Sequence, residues 1–179
     1  LFSMARGAGD EEEAGKILGN SYGLLLISSV ILTVVGYLFC KPILFAFGAS
    51  EESFVYAKQY LDIYLIGTIF SMSATGLNGY INAQGFPKIG MLSVIIGAVS
   101  NIILDPIFIF GLNMGVSGAA LATIISQAIS AIWVLNFLFG KKAIIPLKLN
   151  NIRINKNRTM EIFKLGTSNF IMHGTNCLV

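Results

Sequence analysis

Between Lys88 and Lys141 the chain carries one charged side chain, Asp105, in the stretch SNIILDPIFIF (100–110). A carboxyl group inside an apolar helix can carry a proton or hold a cation. It costs at least about 2.5–3.5 kcal/mol on insertion scales, so function is the default explanation for keeping it. Pro106 follows at once. It has no N–H and clashes one turn back, near Ile102, which predicts a kink. Asn101 lies one turn before Asp105 on the same helical face. A turn centred near Met114 brings Asp105 level with Thr123, and Asn101 level with Gln127. Thr123 and Gln127 are themselves one turn apart, so two short polar stripes should face each other across one hairpin and share a hydrogen-bond network. Neutral polar residues in membrane helices often serve only to hold helices together, at about 0.6 kcal/mol each. That role does not need a carboxylate.

The elements that must position these residues are apolar helices. The 179 residues are 55% hydrophobic and 12% charged, where soluble domains carry about 25% charged residues. Residues 17–40, 63–87, 89–104 and 106–140 hold no charged residue at all. Blocks of this length match the roughly 20 residues of a membrane span. The sequence predicts an all-α, polytopic transmembrane bundle with four complete spans, near residues 18–39, 56–81, 89–110 and 119–139, and truncated spans at both ends. Ten lysines and arginines, from Arg6 and Lys16 through Lys88 to residues 141–164, fall on one side, while Lys41 and Lys58 fall on the other. The positive-inside rule puts loops 7–16, 82–88 and 141–163 in the cytoplasm. Tyr56, Tyr60 and Tyr64, spaced by four, read as an aromatic anchor at the membrane surface.

Other residues carry less. Cys40 and Cys177 lack metal-ligand spacing and read as small buried hydrophobes. Asp62 reads as a solvated residue near a helix end, Glu51 and Glu52 as a solvated loop, and His173 as a packing histidine. Small residues such as Gly67, Gly76, Gly97 and Gly118 permit close helix approach. GAGD (7–10) fits the G-x-G-D pattern of intramembrane aspartyl proteases, but EEE follows it in a loop and no second aspartate lies inside a span, so no enzyme is expected. The net charge of +3 is a matter of membrane orientation, and no nucleic-acid partner is expected.

The stretches GAGDEEEAGK, FGASEE, NGYINAQGFPKIGM, NIILDPIFIFGLNMGVSGAALAT and KLG occur in an order and at a spacing that resemble the multidrug and toxic compound extrusion (MATE) family. The resemblance implies a twelve-helix protein of two six-helix lobes in the plasma membrane. It would export organic cations or other amphipathic compounds in exchange for H⁺ or Na⁺, with no cofactor. It implies a coupling-ion site at Asp105 with Asn101, Thr123 and Asn78, Gln127 being a possible extension, and Na⁺ at Asp105 as the only metal. Asn78 fits the hairpin least well, since it should sit about 12 Å closer to the cytoplasm than Asn101.

On this reading the chain is an internal piece of a longer protein. Residues 1–140 are most of the first lobe, 141–163 the cytoplasmic connector, and 164–179 the start of the second lobe. The rest of that lobe and the lipid bilayer are its partners. Two other readings stand beside export: flipping of a lipid-linked precursor by a related architecture, and a structural membrane protein without transport. The first calls for a cationic cavity, and the third and fourth spans offer no lysine or arginine.

Overall fold

The computed structural model describes the backbone of residues 1–178 and side-chain surroundings through residue 167. His173 and Cys177 therefore have side chains outside the described residues. Cys40 is buried and forms no disulfide.

A short α1 (Phe2–Gly7) leads into α2 (Glu11–Leu38), the first span. Asp10 caps α2 by accepting a hydrogen bond from the Glu13 amide, and three glutamates fill the first turn, where the helix dipole favours negative charge. Asp10 thus has a local structural task. α2 ends before CKP, which forms the short α3 (Cys40–Ala46). Ser50 and Ser53 then form a reciprocal capping box that starts α4 (Glu51–Ile66).

The second span is not one helix. It breaks at Gly67 into α4 and α5 (Thr68–Ala83), sixteen residues each, neither long enough to cross a bilayer alone. Several forces meet at the break. The Gly67 amide bonds to Tyr64 one residue short of the α-helical register. Thr33 Oγ1 donates to the Leu65 carbonyl at 3.0 Å, and Tyr37 Oη donates to the Asp62 carbonyl at 2.5 Å. Asp62 itself pairs with Lys58 one turn back at 2.5 Å. It stands inside α4 rather than at a solvated helix end.

Phe86 leads through Pro87, at the helix start, into α6 (Pro87–Pro106). The expected kink takes a specific form. Pro106 closes the α-helical part, and residues Ile107–Gly111 continue as a π-helical turn, with the Leu112 amide reaching back to the Ile107 carbonyl at 2.9 Å. The missing proline N–H removes one α-helical bond, and the ladder slips to the wider register. Asn113 and Gly115 take positive φ in the turn that follows. α7 (Gly115–Phe139) then starts four residues before the expected position.

α7 is the central helix, packed against α4, α5 and α6. α2, α6 with its π-turn, and α7 are each long and apolar enough to cross a membrane unbroken. The pair of α4 and α5 makes the fourth crossing. Large apolar side chains such as Ile31, Val94, Ile102 and Ile132 are exposed along the spans, which suits lipid contact. The tightest core instead lies at the basic, cytoplasmic end, where Ile17, Leu18, Leu77, Ile81, Val134 and Leu138 meet Ala143, Ile145 and Leu147. After a 3₁₀ turn (Leu149–Asn151), α8 (Lys156–Leu178) begins within the stretch read as connector.

Candidate functional site: a polar cavity beside Asp105

Asn101 Nδ2 donates to Asp105 Oδ1 at 3.2 Å, closing the α6 stripe on itself across one turn. Both side chains are partly buried. Asn101 also lines a cavity of about 280 Å³ between α5, α6 and α7, together with Asn78, Ser93, Thr123, Ser126 and Gln127. Asp105 is not in its wall. Asn101 is the direct link between carboxyl group and cavity.

The α7 stripe has other partners than those expected. Thr123 Oγ1 donates to the Ala119 carbonyl at 2.9 Å. Its proton is thereby committed, so the contact of 3.4 Å with Tyr60 Oη has the tyrosine as donor. Gln127 Nε2 donates to Tyr64 Oη at 3.4 Å. The Tyr60 and Tyr64 rings stack at 5.9 Å. Among the described residues no hydrogen bond joins the α6 stripe to the α7 stripe. The cavity separates them, and α4 supplies the hydroxyl groups that α6 does not. Tyr60 and Tyr64 are therefore turned to α7 rather than serving as a surface anchor; only Tyr56, 61% exposed, keeps that position.

Asn78 opens on the same cavity, at its cytoplasmic side. Its Nδ2 donates to the Gly90 carbonyl at 3.0 Å and to Ser93 Oγ at 2.9 Å. Ser93 Oγ donates in turn to Gly90 O at 2.7 Å. With both acceptors on one side, the amide orientation is fixed. These bonds lie two to three helical turns from Asn101 along α6, so Asn78 shares the cavity but not the hydrogen bonds of Asp105. Asn78 Oδ1 and Gln127 Oε1 are buried acceptors without a partner, a costly state that a donor would relieve.

Of the residues the sequence singles out, Asn78, Asn101, Thr123 and Gln127 line the cavity; Ser93, Ser126 and Ser130 line it as well and were not singled out. Ser126 and Ser130 lie one turn apart on α7 next to the Thr123 stripe, and that spacing was the available signal. Among the described residues no three His, Cys, Asp or Glu side chains converge as metal ligands. Among the described residues, a cation here would find one anionic ligand, Asp105, and neutral oxygens for the rest.

A sequence model of the MatE family matches residues 1–107. The chain is 32% identical over 171 residues to the multidrug export protein MepA of Staphylococcus haemolyticus, covering 96% of this chain and 38% of that protein. It is 30% identical over 151 residues to MepA of Staphylococcus aureus, covering 84% and 33%. An inward-facing structure of a multidrug resistance MATE family transporter of the MOP superfamily superposes with a TM-score of 0.85 at 28% identity, over 93% of this chain and 38% of that one. An outward-facing structure gives 0.83 at the same identity, over 93% and 37%. The chain spans less than two fifths of the length of these relatives.

Proposed function

Because the chain belongs to the MatE family, we propose that it is the first-lobe part of a secondary transporter that exports organic cations or other amphipathic compounds in exchange for H⁺ or Na⁺, with Asp105 as the coupling-ion site. Residues 1–140 supply that lobe, 141–163 the connector, and 164–179 the beginning of the second lobe. Transport requires both lobes, since alternating access works by rocking one repeat against the other.

The observation that carries the reading is the double position of Asn101, in the cavity wall and on Asp105. A proton or cation arriving at the carboxyl group changes what Asn101 can donate to, and Asn101 carries that change into the wall. The π-turn directly after Pro106 gives α6 a register that can shift when the bond changes. Thr123, Asn78 and Gln127 complete the cavity side of the site. Coupling demands that the ion bind the two states with different affinity. The similar fit to an inward-facing and an outward-facing transporter supports movement of this part as one body.

The cavity lining holds no lysine or arginine, and its unpaired acceptors suit a cargo that donates hydrogen bonds. This favours cationic amphiphiles over the phosphate of a lipid-linked precursor. The test is reconstitution of the full-length parent in liposomes, with efflux of a fluorescent organic cation driven first by a proton gradient and then by a sodium gradient. Asp105→Asn should lose gradient-driven efflux while keeping substrate binding, and the gradient that works names the ion. Undiminished efflux in Asp105→Asn would remove the carboxyl group from coupling.

A further inference from the structure

The stretch after α7 is polar and basic in sequence, yet it is folded tightly onto the first lobe. Ala143, Ile145 and Leu147 are 8%, 3% and 3% exposed and belong to the cytoplasmic core. The Ile145 amide donates to Gln84 Oε1 at 2.9 Å, and the Leu147 amide to the Leu138 carbonyl at 2.8 Å. Farther along, the 3₁₀ turn lies against α2. A Cβ on Gly19 would fall 2.3 Å from the Asn151 carbonyl oxygen, so backbone meets backbone there.

Two polar anchors then hold the start of α8. Asn20 is 1% exposed. Its Oδ1 accepts from the Asn155 amide at 2.6 Å, and its Nδ2 donates to Thr159 Oγ1 at 3.3 Å. Asn155 is in turn the cap of α8, its Oδ1 accepting from the amides of Asn157 and Arg158 at 3.0 and 3.3 Å. Arg158 donates through Nε and one terminal nitrogen to the two Glu13 oxygens at 2.6 and 2.7 Å, the two-point geometry that gives guanidinium–carboxylate pairs their directional strength.

We propose that Asn20 is a positioning residue which, with the Glu13/Arg158 pair, holds the start of α8 on α2 throughout the transport cycle, so that the lobes swing about this clamp instead of parting at it. The inference rests on the transport reading above. Segments that open in each cycle come from the weakly held end of a structure, with few buried contacts. This one has buried apolar residues, a backbone contact at Gly19 and a buried amide with both ends in use. Parting the clamp would uncover the first, and strand the second and third together. The motion must therefore be taken up beyond the first turn of α8.

The test uses the full-length parent with its native cysteines replaced by serine, and spin labels at Lys16→Cys and Lys156→Cys, which flank the clamp without forming it. One narrow label distance is expected at neutral and mildly acid pH, above the range in which Glu13 titrates, with and without sodium and a transported cation. A second distance population that grows under any of these conditions would overturn the clamp. Asn20→Leu should broaden the distance and lower the maximal transport rate several-fold with little change in KM. Should that variant fail to fold, the paired change Glu13→Arg with Arg158→Glu should recover the narrow distance that either change alone loses; failure to recover it counts against the clamp. The distance does not depend on transport. A narrow, unmoving distance in a protein that moves no cation would uphold the clamp and defeat the transport reading.

Discussion

Ile124 of α7 fills the space that a side chain at Gly67 would occupy: a Cβ there would lie 2.5 Å from Ile124 Cγ1. The break in the second span and the central position of α7 are thus one feature. Glycine costs about 1 kcal/mol relative to alanine within a helix, and here its small size admits α7 where α4 hands over to α5. Gly67→Ala should lower the stability of the detergent-solubilised parent by about 1–3 kcal/mol through overpacking. Ile124→Ala should recover much of that loss in the double variant, as read by thermal unfolding. Additive losses would separate the two residues.

The contact of Tyr60 with Thr123 can be weighed by a double-mutant cycle of Tyr60→Phe and Thr123→Val. A coupling energy of about 0.6 kcal/mol is expected, the usual size for hydrogen bonds between membrane helices. A residue anchored at the membrane surface would give no coupling with Thr123.

Gly19→Ala should force the 3₁₀ turn away from α2, because the obstruction is the Asn151 backbone and not a flexible side chain. Trypsin should then cut faster after Lys148 and Arg153. Gly79→Ala is the control: a Cβ there meets nothing within 4 Å, and that variant should keep the parent's cleavage rate.

The Glu13/Arg158 pair predicts a pH dependence. Hydrogen bonding and charge from Arg158 hold the Glu13 carboxyl below its ordinary range. A carboxylate whose pKa is lower folded than unfolded adds stability above the unfolded value and loses it as pH falls through the folded one. Protection of the 148–159 segment from amide exchange should therefore be constant near neutrality and fall only in acid, below the ordinary glutamate range. Glu13→Gln should remove that dependence and start from lower protection. An acid transition of equal size in Glu13→Gln would assign it to another group.

Much of this protein is legible in one dimension. The uncharged blocks, the bias of lysine and arginine, the capping serines at 50 and 53 and the Asn101/Asp105 pair depend on local chemistry and helical period, and those survive any packing. The Asn101 and Asp105 side chains meet because they stand one turn apart. Residue types also sufficed to mark Thr123, Gln127 and Asn78 as polar positions that need company.

Which company they keep was settled only in three dimensions. A hairpin count treats α6 and α7 as a plain pair and cannot see α4, so it joined Thr123 and Gln127 to Asp105 and Asn101. The folded protein instead leaves a cavity between those stripes and turns Tyr60 and Tyr64 inward to meet the α7 side chains. The connector shows the same limit. Its lysines and asparagines read only as a cytoplasmic connector, while burial of Ile145 and Leu147 and the approach of Asn151 to Gly19 depend on contacts more than a hundred residues apart in the chain or across several helices. Local sequence fixes helices and their polar faces by short-range sterics and hydrogen bonding. Partners across the bundle are chosen by which surfaces fit once all helices compete for them, and that competition has no period to read.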